Sequence, residues 1–274
     1  MKLLVLGASG MIGGGLLRNL ALTFSASGTT RTEFEVVGTE TAEEISAKLQ
    51  RVPAFESADV VINCIGVVKQ YSDAVSDTYM TNLNARFPHL LSQACIRTGK
   101  KLVHISSDCV FSGKTGGYSE GDLPDATDTY GRSKAEGEQI FNEALVVRTS
   151  TIGIEEHSSH GLLMWYLSER SAASGYRNSI YSGVSLKEFA ASLAALIDRG
   201  IFSGLYNIAS QPISKSDLLS LLSTRGIGCK VKQVPSEPID RSLNDQKFRL
   251  ETNIPRPAWH TMVRDIQEEL NQHG

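Results

Sequence analysis

Apolar positions along the chain fall into two rhythms. Short, nearly continuous runs at residues 2–6, 34–38, 59–66 and 102–105 predict strands buried on both faces, because a strand with one wet face would alternate. Elsewhere apolar residues recur at helical spacing. Leu16, Leu17 and Leu20 predict a helix after the first strand. Phe87, Leu90, Leu91, Ala94 and Cys95 predict another behind a polar stretch holding Asn82 and Asn84. Strand and helix therefore alternate through the first half, the pattern of an α/β sheet. Beyond residue 155 a polar stretch, Glu155-Glu156-His157-Ser158-Ser159-His160-Gly161, precedes a helix containing Leu162, Leu163, Trp165, Tyr166 and Leu167. Helices are then predicted at 186–197, 218–222 and 262–270, with short strands at 205–208 and 231–234. No repeat or low-complexity tract interrupts the series.

The turn after the first strand changes the picture most. Gly7-Ala8-Ser9-Gly10-Met11-Ile12-Gly13 stands between strand and helix. There glycines permit a tight turn, close approach of backbone to a diphosphate, and contact between helix and strand, while the helix N-terminus offers N–H donors. Dinucleotide binding by Gly7, Ser9, Gly10, Met11, Ile12 and Gly13 is expected. Glu40, placed after the 34–38 strand, is a candidate acceptor for the adenosine ribose hydroxyls, which favours NAD. It also sits just before Thr41-Ala42-Glu43-Glu44, which reads as a helix N-terminus, and Arg31 keeps NADP open.

Composition narrows the class by exclusion. With 274 residues, 41% of them hydrophobic, the chain can bury a large core, and a net charge of −3 supplies no general drive toward nucleic acid or anionic membrane. No apolar run approaches the roughly 20 residues that a membrane span needs. Cys64, Cys95, Cys109 and Cys229 lack paired spacing and read as reduced thiols, so a cytoplasmic protein without a metal site is expected, acting as monomer or homodimer. His157 and His160 lack a supporting carboxylate pattern and read as part of a polar loop.

Candidate chemistry lies at the ends of two later elements. Tyr130 and Lys134 are four apart in a segment that reads as helix, so they share a face; a nearby ammonium would lower the phenol pKa from about 10 and suit it to proton transfer. The same pair on a solvated face would do nothing. Ser106-Ser107-Asp108 ends the 102–105 strand, at the edge where open α/β sheets hold their ligands. Asn63-Cys64-Ile65-Gly66 ends the preceding one.

The G-x-x-G-x-x-G spacing of Gly7, Gly10 and Gly13 resembles the short-chain dehydrogenase/reductase superfamily. Closer still, Ser106-Ser107-Asp108-Cys109-Val110-Phe111-Ser112-Gly113, Tyr118-Ser119-Glu120 and Tyr130-Gly131-Arg132-Ser133-Lys134-Ala135-Glu136-Gly137-Glu138 resemble the dTDP-4-dehydrorhamnose reductase family of extended short-chain reductases. Val147-Arg148-Thr149-Ser150, Gly204-Leu205-Tyr206-Asn207-Ile208-Ala209 and the stretch from Arg241 to Lys247 continue the likeness over essentially the whole chain.

That resemblance implies a Rossmann-type doubly wound parallel sheet at residues 1–154, carrying the catalytic groups. Residues 155–274 are then mainly a smaller α/β substrate lobe, with some segments returning to the sheet. It implies NAD(P)H-dependent reduction of a keto group, at C4 by analogy, on a nucleotide sugar destined for polysaccharide. Ser107 would position the carbonyl oxygen, Tyr130 protonate it, and Lys134 lower the tyrosine pKa and contact the nicotinamide ribose. Asn63, Cys64, Ile65 and Gly66 match the segment that the superfamily lays against its cofactor. Asp108, Cys109 and Arg241 are candidate substrate contacts, with Lys247 and Arg249 as further cations for a diphosphate. Cys109 stands where the family usually has tyrosine and Thr151 where an aromatic is common, so the sugar itself is left open. An epimerase or dehydratase on the same scaffold, and a silent cofactor-binding regulatory subunit, are the alternative readings.

Overall fold

The computed structural model describes residues 1–69, 74–155 and 161–273. The stretch of His157 and His160 lies outside the described residues. In chain order, β1 (Lys2–Leu6), α1 (Met11–Leu20), β2 (Ser25–Thr29), α2 (Ala42–Gln50), α3 (Pro53–Ser57), β3 (Val60–Asn63), α4 (Asp77–Thr81), α5 (Phe87–Arg97), β4 (Lys101–Ile105), α6 (Thr129–Gly137) and β5 (Leu145–Arg148) build the first half. The second half holds β6 (Thr151–Ile152), α7 (Leu162–Ser168), β7 (Ala172–Tyr176), β8 (Ser179–Tyr181), β9 (Val184–Ser185), α8 (Leu186–Asp198) and β10 (Gly204–Asn207). It ends with β11 (Ile213–Ser214), α9 (Lys215–Thr224), β12 (Lys230–Val234), β13 (Ile239–Asp240), α10 (Gln246–Thr252) and α11 (Trp259–His273).

Six strands form one sheet in the order β10-β5-β4-β3-β1-β2, every neighbouring pair parallel. Chain order reverses at β1, with β2 on one side and β3 on the other, and such a reversal opens a crevice at the carboxyl ends of the strands. Both faces are covered, which is why the inner strands β1, β3, β4 and β5 are largely apolar and buried. Successive residues of β1 point opposite ways: Leu3 and Val5 join Leu16, Phe189 and Leu193 in one core, and Leu4 and Leu6 join Ile45, Leu49, Phe87 and Leu91 in the other. Gly15 lets α8 lie against α1, since a Cβ there would sit 2.7 Å from Leu186 Cδ1. Strand β10, from the second half of the chain, completes the sheet beside β5. The other second-half strands form three small pairings, β11-β8-β13, β12-β7 and β6-β9.

The second strand is a correction. Residues 34–38 are irregular, and β2 is Ser25–Thr29, Ser-Ala-Ser-Gly-Thr, with little apolar character. Phe34 and Val36 do bury themselves, Phe34 with its ring 6.2 Å from that of Phe87, so their apolarity serves the core rather than a ladder. An edge strand needs small residues here because a Cβ on Gly28 would fall 2.5 Å from Ala8 Cβ and 2.7 Å from Leu17 Cδ2. The helix start at Thr41 does form, closed by a reciprocal capping box between Thr41 and Glu44. Residues 77–97 run as α4, a π-helical turn at Asn82–Arg86, and α5. Among the described residues no helix is long and apolar enough to cross a membrane.

Candidate active site

At the end of β1 the chain turns sharply through Gly7, whose φ of +81° is a conformation that other residues adopt at a cost. Gly10 N–H donates to Gly7 O at 3.1 Å, and Gly10 then caps α1 in extended conformation without a side-chain partner, leaving first-turn N–H groups open. Gly13 must be glycine on space alone: a Cβ would lie 2.2 Å from Gly7 O. The turn from β3 leans on this loop, with Cys64 C and Ile65 N each 3.3 Å from where a Gly7 Cβ would be. Asn63, fully buried, holds that turn by accepting the Ile65 N–H at 3.0 Å. Gly66 passes against Asn84, which accepts from Val67 N, donates to Val67 O, and donates to Ser133 on α6. Gly7, which leads into Ser9, Gly10, Met11, Ile12 and Gly13, thus meets Cys64 and Ile65 of the 63–66 segment at the strand-order reversal. Burial pushes the Cys64 thiol up to about 12 against the opposing pull of Lys134.

Glu40 is not part of this group. It follows an irregular segment rather than a strand, and both of its carboxylate oxygens are engaged: Oε1 accepts from Val37 N at 2.8 Å and Lys48 Nζ at 2.5 Å, and Oε2 from Gly38 N at 2.8 Å. Burial alone would raise its pKa, but the Lys48 ammonium and backbone donors outweigh that and hold it at about 2. Glu40 braces its own loop, correcting its expected placement at the end of the second strand. The residues that follow β2 are Thr30 and the exposed Arg31.

Ser107, Tyr130 and Lys134 do converge. Ser107 follows β4 and caps a 3-10 turn at Asp108–Val110, its Oγ accepting from Cys109 N at 3.1 Å and donating to Asp108 Oδ1 at 3.2 Å. Asp128 caps α6 by accepting from Gly131 N at 2.8 Å, which starts the helix one residue before Tyr130. Gly131 allows close seating, since a Cβ there would meet Cys109 O at 2.3 Å. Tyr130 and Lys134 both face inward and are buried. The phenol lies within hydrogen-bond reach of Ser107. Lys134 Nζ donates to Ile105 O at 2.7 Å, tying α6 to the end of β4.

Electrostatics here reverse one expectation. Burial raises the Tyr130 pKa, with Cys109, Asp108 and Asp128 adding to the rise and Ser107 alone opposing it. Lys134 is itself brought down to about 8 by burial, against the pull of Glu138 and Cys64. The phenol pKa is therefore raised rather than lowered in this arrangement, because the cost of burying a phenolate dominates. What results is a neutral phenol, able to give a proton.

Under the same helix runs an ion pair that motif reading does not explain. Glu138 receives Arg148 through Nε at 3.0 Å and Nη2 at 2.7 Å, and accepts from Ser106 Oγ at 2.5 Å; both charged side chains are at most 3% exposed. Arg148 also lies 4.9 Å from the centre of the Phe111 ring, which stacks on Tyr118 at 4.0 Å. The end of α6 is thereby fixed to the residue next to Ser107. Asn84 was likewise missed as a functional support, because its position reads simply as part of a polar helix.

Of the substrate candidates, Asp108, Cys109 and Arg241 lie together. Burial raises the Asp108 pKa while Arg241, Ser107 and Cys109 oppose, and burial then Asp108 push the Cys109 thiol up to about 12. Arg241 Nε donates to Phe111 O at 2.8 Å, placing a cation from the second half of the chain over the Asp108 turn. Lys247 and Arg249 are engaged elsewhere, with Leu205 O at 2.9 Å and Asp245 at 3.1 Å. Among the described residues no cluster of three or more His, Cys, Asp or Glu is placed to hold a metal.

Residues 1–200 match the family model described as the RmlD substrate binding domain. A dTDP-4-dehydrorhamnose reductase of Mycobacterium tuberculosis is 31% identical over 161 residues, 55% of this chain and 50% of that protein. A probable low-salt glycan biosynthesis reductase of Haloferax volcanii is 28% identical over 77% of this chain and 75% of its own length. The chain spans about half the length of the first of these curated relatives. In fold it is similar to a dTDP-4-dehydrorhamnose reductase from Bacillus anthracis solved in complex with NADP, with a TM-score of 0.82, 21% identity and coverage of 98% of this chain and 99% of that one.

Proposed function

The chain belongs to the RmlD substrate-binding-domain family, and from that premise we propose that it reduces a keto group, at C4, on a deoxy-sugar nucleotide used for polysaccharide synthesis, with NADPH as reductant. The observation that carries the reading is the meeting of a neutral, buried Tyr130 with Ser107 and Lys134 at the sheet edge that also holds the glycine turn. The turn suits a diphosphate: the first-turn N–H groups of α1 are open, and Gly13 lets the start of that helix pack directly on the Gly7 turn. Gly7, Ser9, Gly10, Met11, Ile12 and Gly13 would hold the diphosphate, and Asn63, Cys64, Ile65 and Gly66 the ring end. Arg31, exposed just after β2, favours a 2′-phosphate, while Glu40 is engaged with its own loop.

When bound, the reduced nicotinamide would supply the hydride to the carbonyl carbon. Tyr130 gives its proton to the carbonyl oxygen as negative charge develops there, and Ser107 orients that oxygen. A raised phenol pKa keeps the proton in place until that charge appears. Lys134, fixed to Ile105 O, would supply an ammonium to the cofactor ribose. Arg241 offers a cation to the substrate diphosphate, and Asp108 and Cys109 line the sugar side. Residues 1–154 thus carry cofactor and proton transfer, and residues 155–274 mainly recognise substrate. The four free cysteines suit a reducing cytoplasm, where we place the protein as monomer or homodimer.

The test is incubation with NADPH or NADH and a panel of 4-keto sugar nucleotides, following loss of nicotinamide absorbance and identifying the product. Stoichiometric oxidation of NADPH with formation of a sugar alcohol is expected. Turnover without net consumption of reductant would replace the reading with an epimerase or dehydratase. Binding of NADPH with no turnover of any member of the panel would point to a regulatory subunit.

A further inference from the structure

Beside the Lys134 anchor lies a histidine that the proposed chemistry does not use. His104, on β4 immediately before the residue whose carbonyl accepts Lys134, is fully buried; its Nδ1 is 3.1 Å from Asn63 Nδ2 and its Nε2 has no partner. Asn63 fixes the roles of both groups. Its Oδ1 is taken by the Ile65 N–H, so its NH2 must donate to the ring, and the ring must present a bare Nδ1 with its proton on Nε2. An orphaned buried donor carries a cost. The fold accepts that cost at Nε2 while keeping the Nδ1 contact.

That contact leads to the cofactor cradle. Asn63 holds the turn through Cys64, Ile65 and Gly66, and the turn packs on Gly7, with Ile65 Cγ1 only 3.1 Å from the place of a Gly7 Cβ. At its far side the same turn is held by Asn84 through Val67. Three strands are coupled in one line, from His104 on β4 through Asn63 on β3 to Gly7 at the end of β1.

We propose that His104 is a positioning residue of the cofactor site, fixing through Asn63 the turn that walls the glycine cradle, and that it does so only as the neutral Nε2–H tautomer. The inference rests on the proposed function in one respect, that the cradle takes a nicotinamide dinucleotide. Protonation at Nδ1 would set N–H against the Asn63 NH2, and the amide would have to turn and release Ile65. Three features oppose that: burial first, then the charges of Lys134 from α6 and His89 from α5, hold the imidazole pKa well below its usual 6.5.

NADPH binding, measured by fluorescence titration on the intact protein, and the state of the ring, measured by nitrogen NMR of labelled histidine, test this together. His104→Leu removes the acceptor, and NADPH affinity is expected to fall about tenfold, the effect of one lost buried hydrogen bond. His104→Asn puts an amide oxygen near the position of Nδ1 and should recover affinity to within about threefold of the unaltered protein. The His104 signal should report an Nε2–H ring at pH 7 that does not titrate near 6.5. Equal NADPH affinity in a folded His104→Leu protein overturns the inference, as does failure of His104→Asn to recover it. Should His104→Leu not fold, the unaltered protein decides: an Nδ1–H tautomer, or titration near 6.5, overturns it. An unaltered protein that binds no NADPH overturns the functional reading and this inference together, whereas the outcomes above remove the inference alone.

Discussion

Replacing Glu138 with Gln tests the support beneath the active site. Glu138 and Arg148 form a bidentate pair at 3.0 and 2.7 Å, with side-chain exposures of 2% and 3%, and Arg148 Nη1 already lacks a partner. Glutamine has nearly the same shape but no charge, so it leaves a guanidinium buried without compensation. Breaking one side of a buried pair typically costs about 3–5 kcal/mol; since the amide oxygen can still accept one of the Arg148 bonds, about 3 kcal/mol is expected here. Urea unfolding at pH 7 reads the loss, as a lowered midpoint with unchanged slope. The double substitution Glu138→Leu with Arg148→Met should recover most of it, because removing both charges also removes both desolvation costs. Turnover should not recover with it, since Ser106 would still lack its Glu138 acceptor next to Ser107. A loss below about 1 kcal/mol in Glu138→Gln, or a double variant less stable than the single one, would refute the argument, because either would mean that the pair is effectively solvated.

Tyr130→Phe should reduce turnover by about 10²–10⁴-fold, the usual worth of a positioned acid, while NADPH titration gives the affinity of the unaltered protein. Gly13→Ala places a methyl 2.2 Å from Gly7 O; moving α1 away should lower stability by about 1–3 kcal/mol in a thermal melt and weaken NADPH binding with it. Glu40→Gln should cost about 2 kcal/mol at pH 7 and leave NADPH affinity unchanged, since the carboxylate serves its own loop. Its pH dependence has a definite sign: with the folded pKa at about 2 and the unfolded one near 4.5, the stabilisation is complete above pH 4.5 and disappears as pH falls toward 2, so unfolding curves of the two proteins should converge in that window. A weakened NADPH affinity in Glu40→Gln would return that residue to the ribose.

Sequence alone determined the parts of this protein that depend on local pattern. Continuous apolar runs became β1, β3 and β4 because strands covered on both faces have no reason to alternate, and the glycine spacing marked a turn in which Gly7 and Gly13 cannot carry a side chain without strain. That Ser107 follows a strand end and that Tyr130 and Lys134 share one helix face was legible because strand-end and helical spacing are local rules, whereas the roles given to them came from the family resemblance. Tertiary structure decided whatever depends on a neighbour distant in sequence. The run at 34–38 is as apolar as a strand, but its side chains fill the core against Phe87 while the small residues of Ser25–Thr29 pair with β1. Glu40 was expected at the end of a strand, but it follows an irregular segment and its carboxylate accepts from Lys48 and two backbone N–H groups of its own loop. Lys134 was expected to acidify Tyr130, yet burial, which no spacing encodes, dominates both groups and leaves the phenol protonated. The same holds for Asn63 with His104 and for Glu138 with Arg148: each residue is ordinary by itself, and only packing across strands and helix makes it part of a buried polar network.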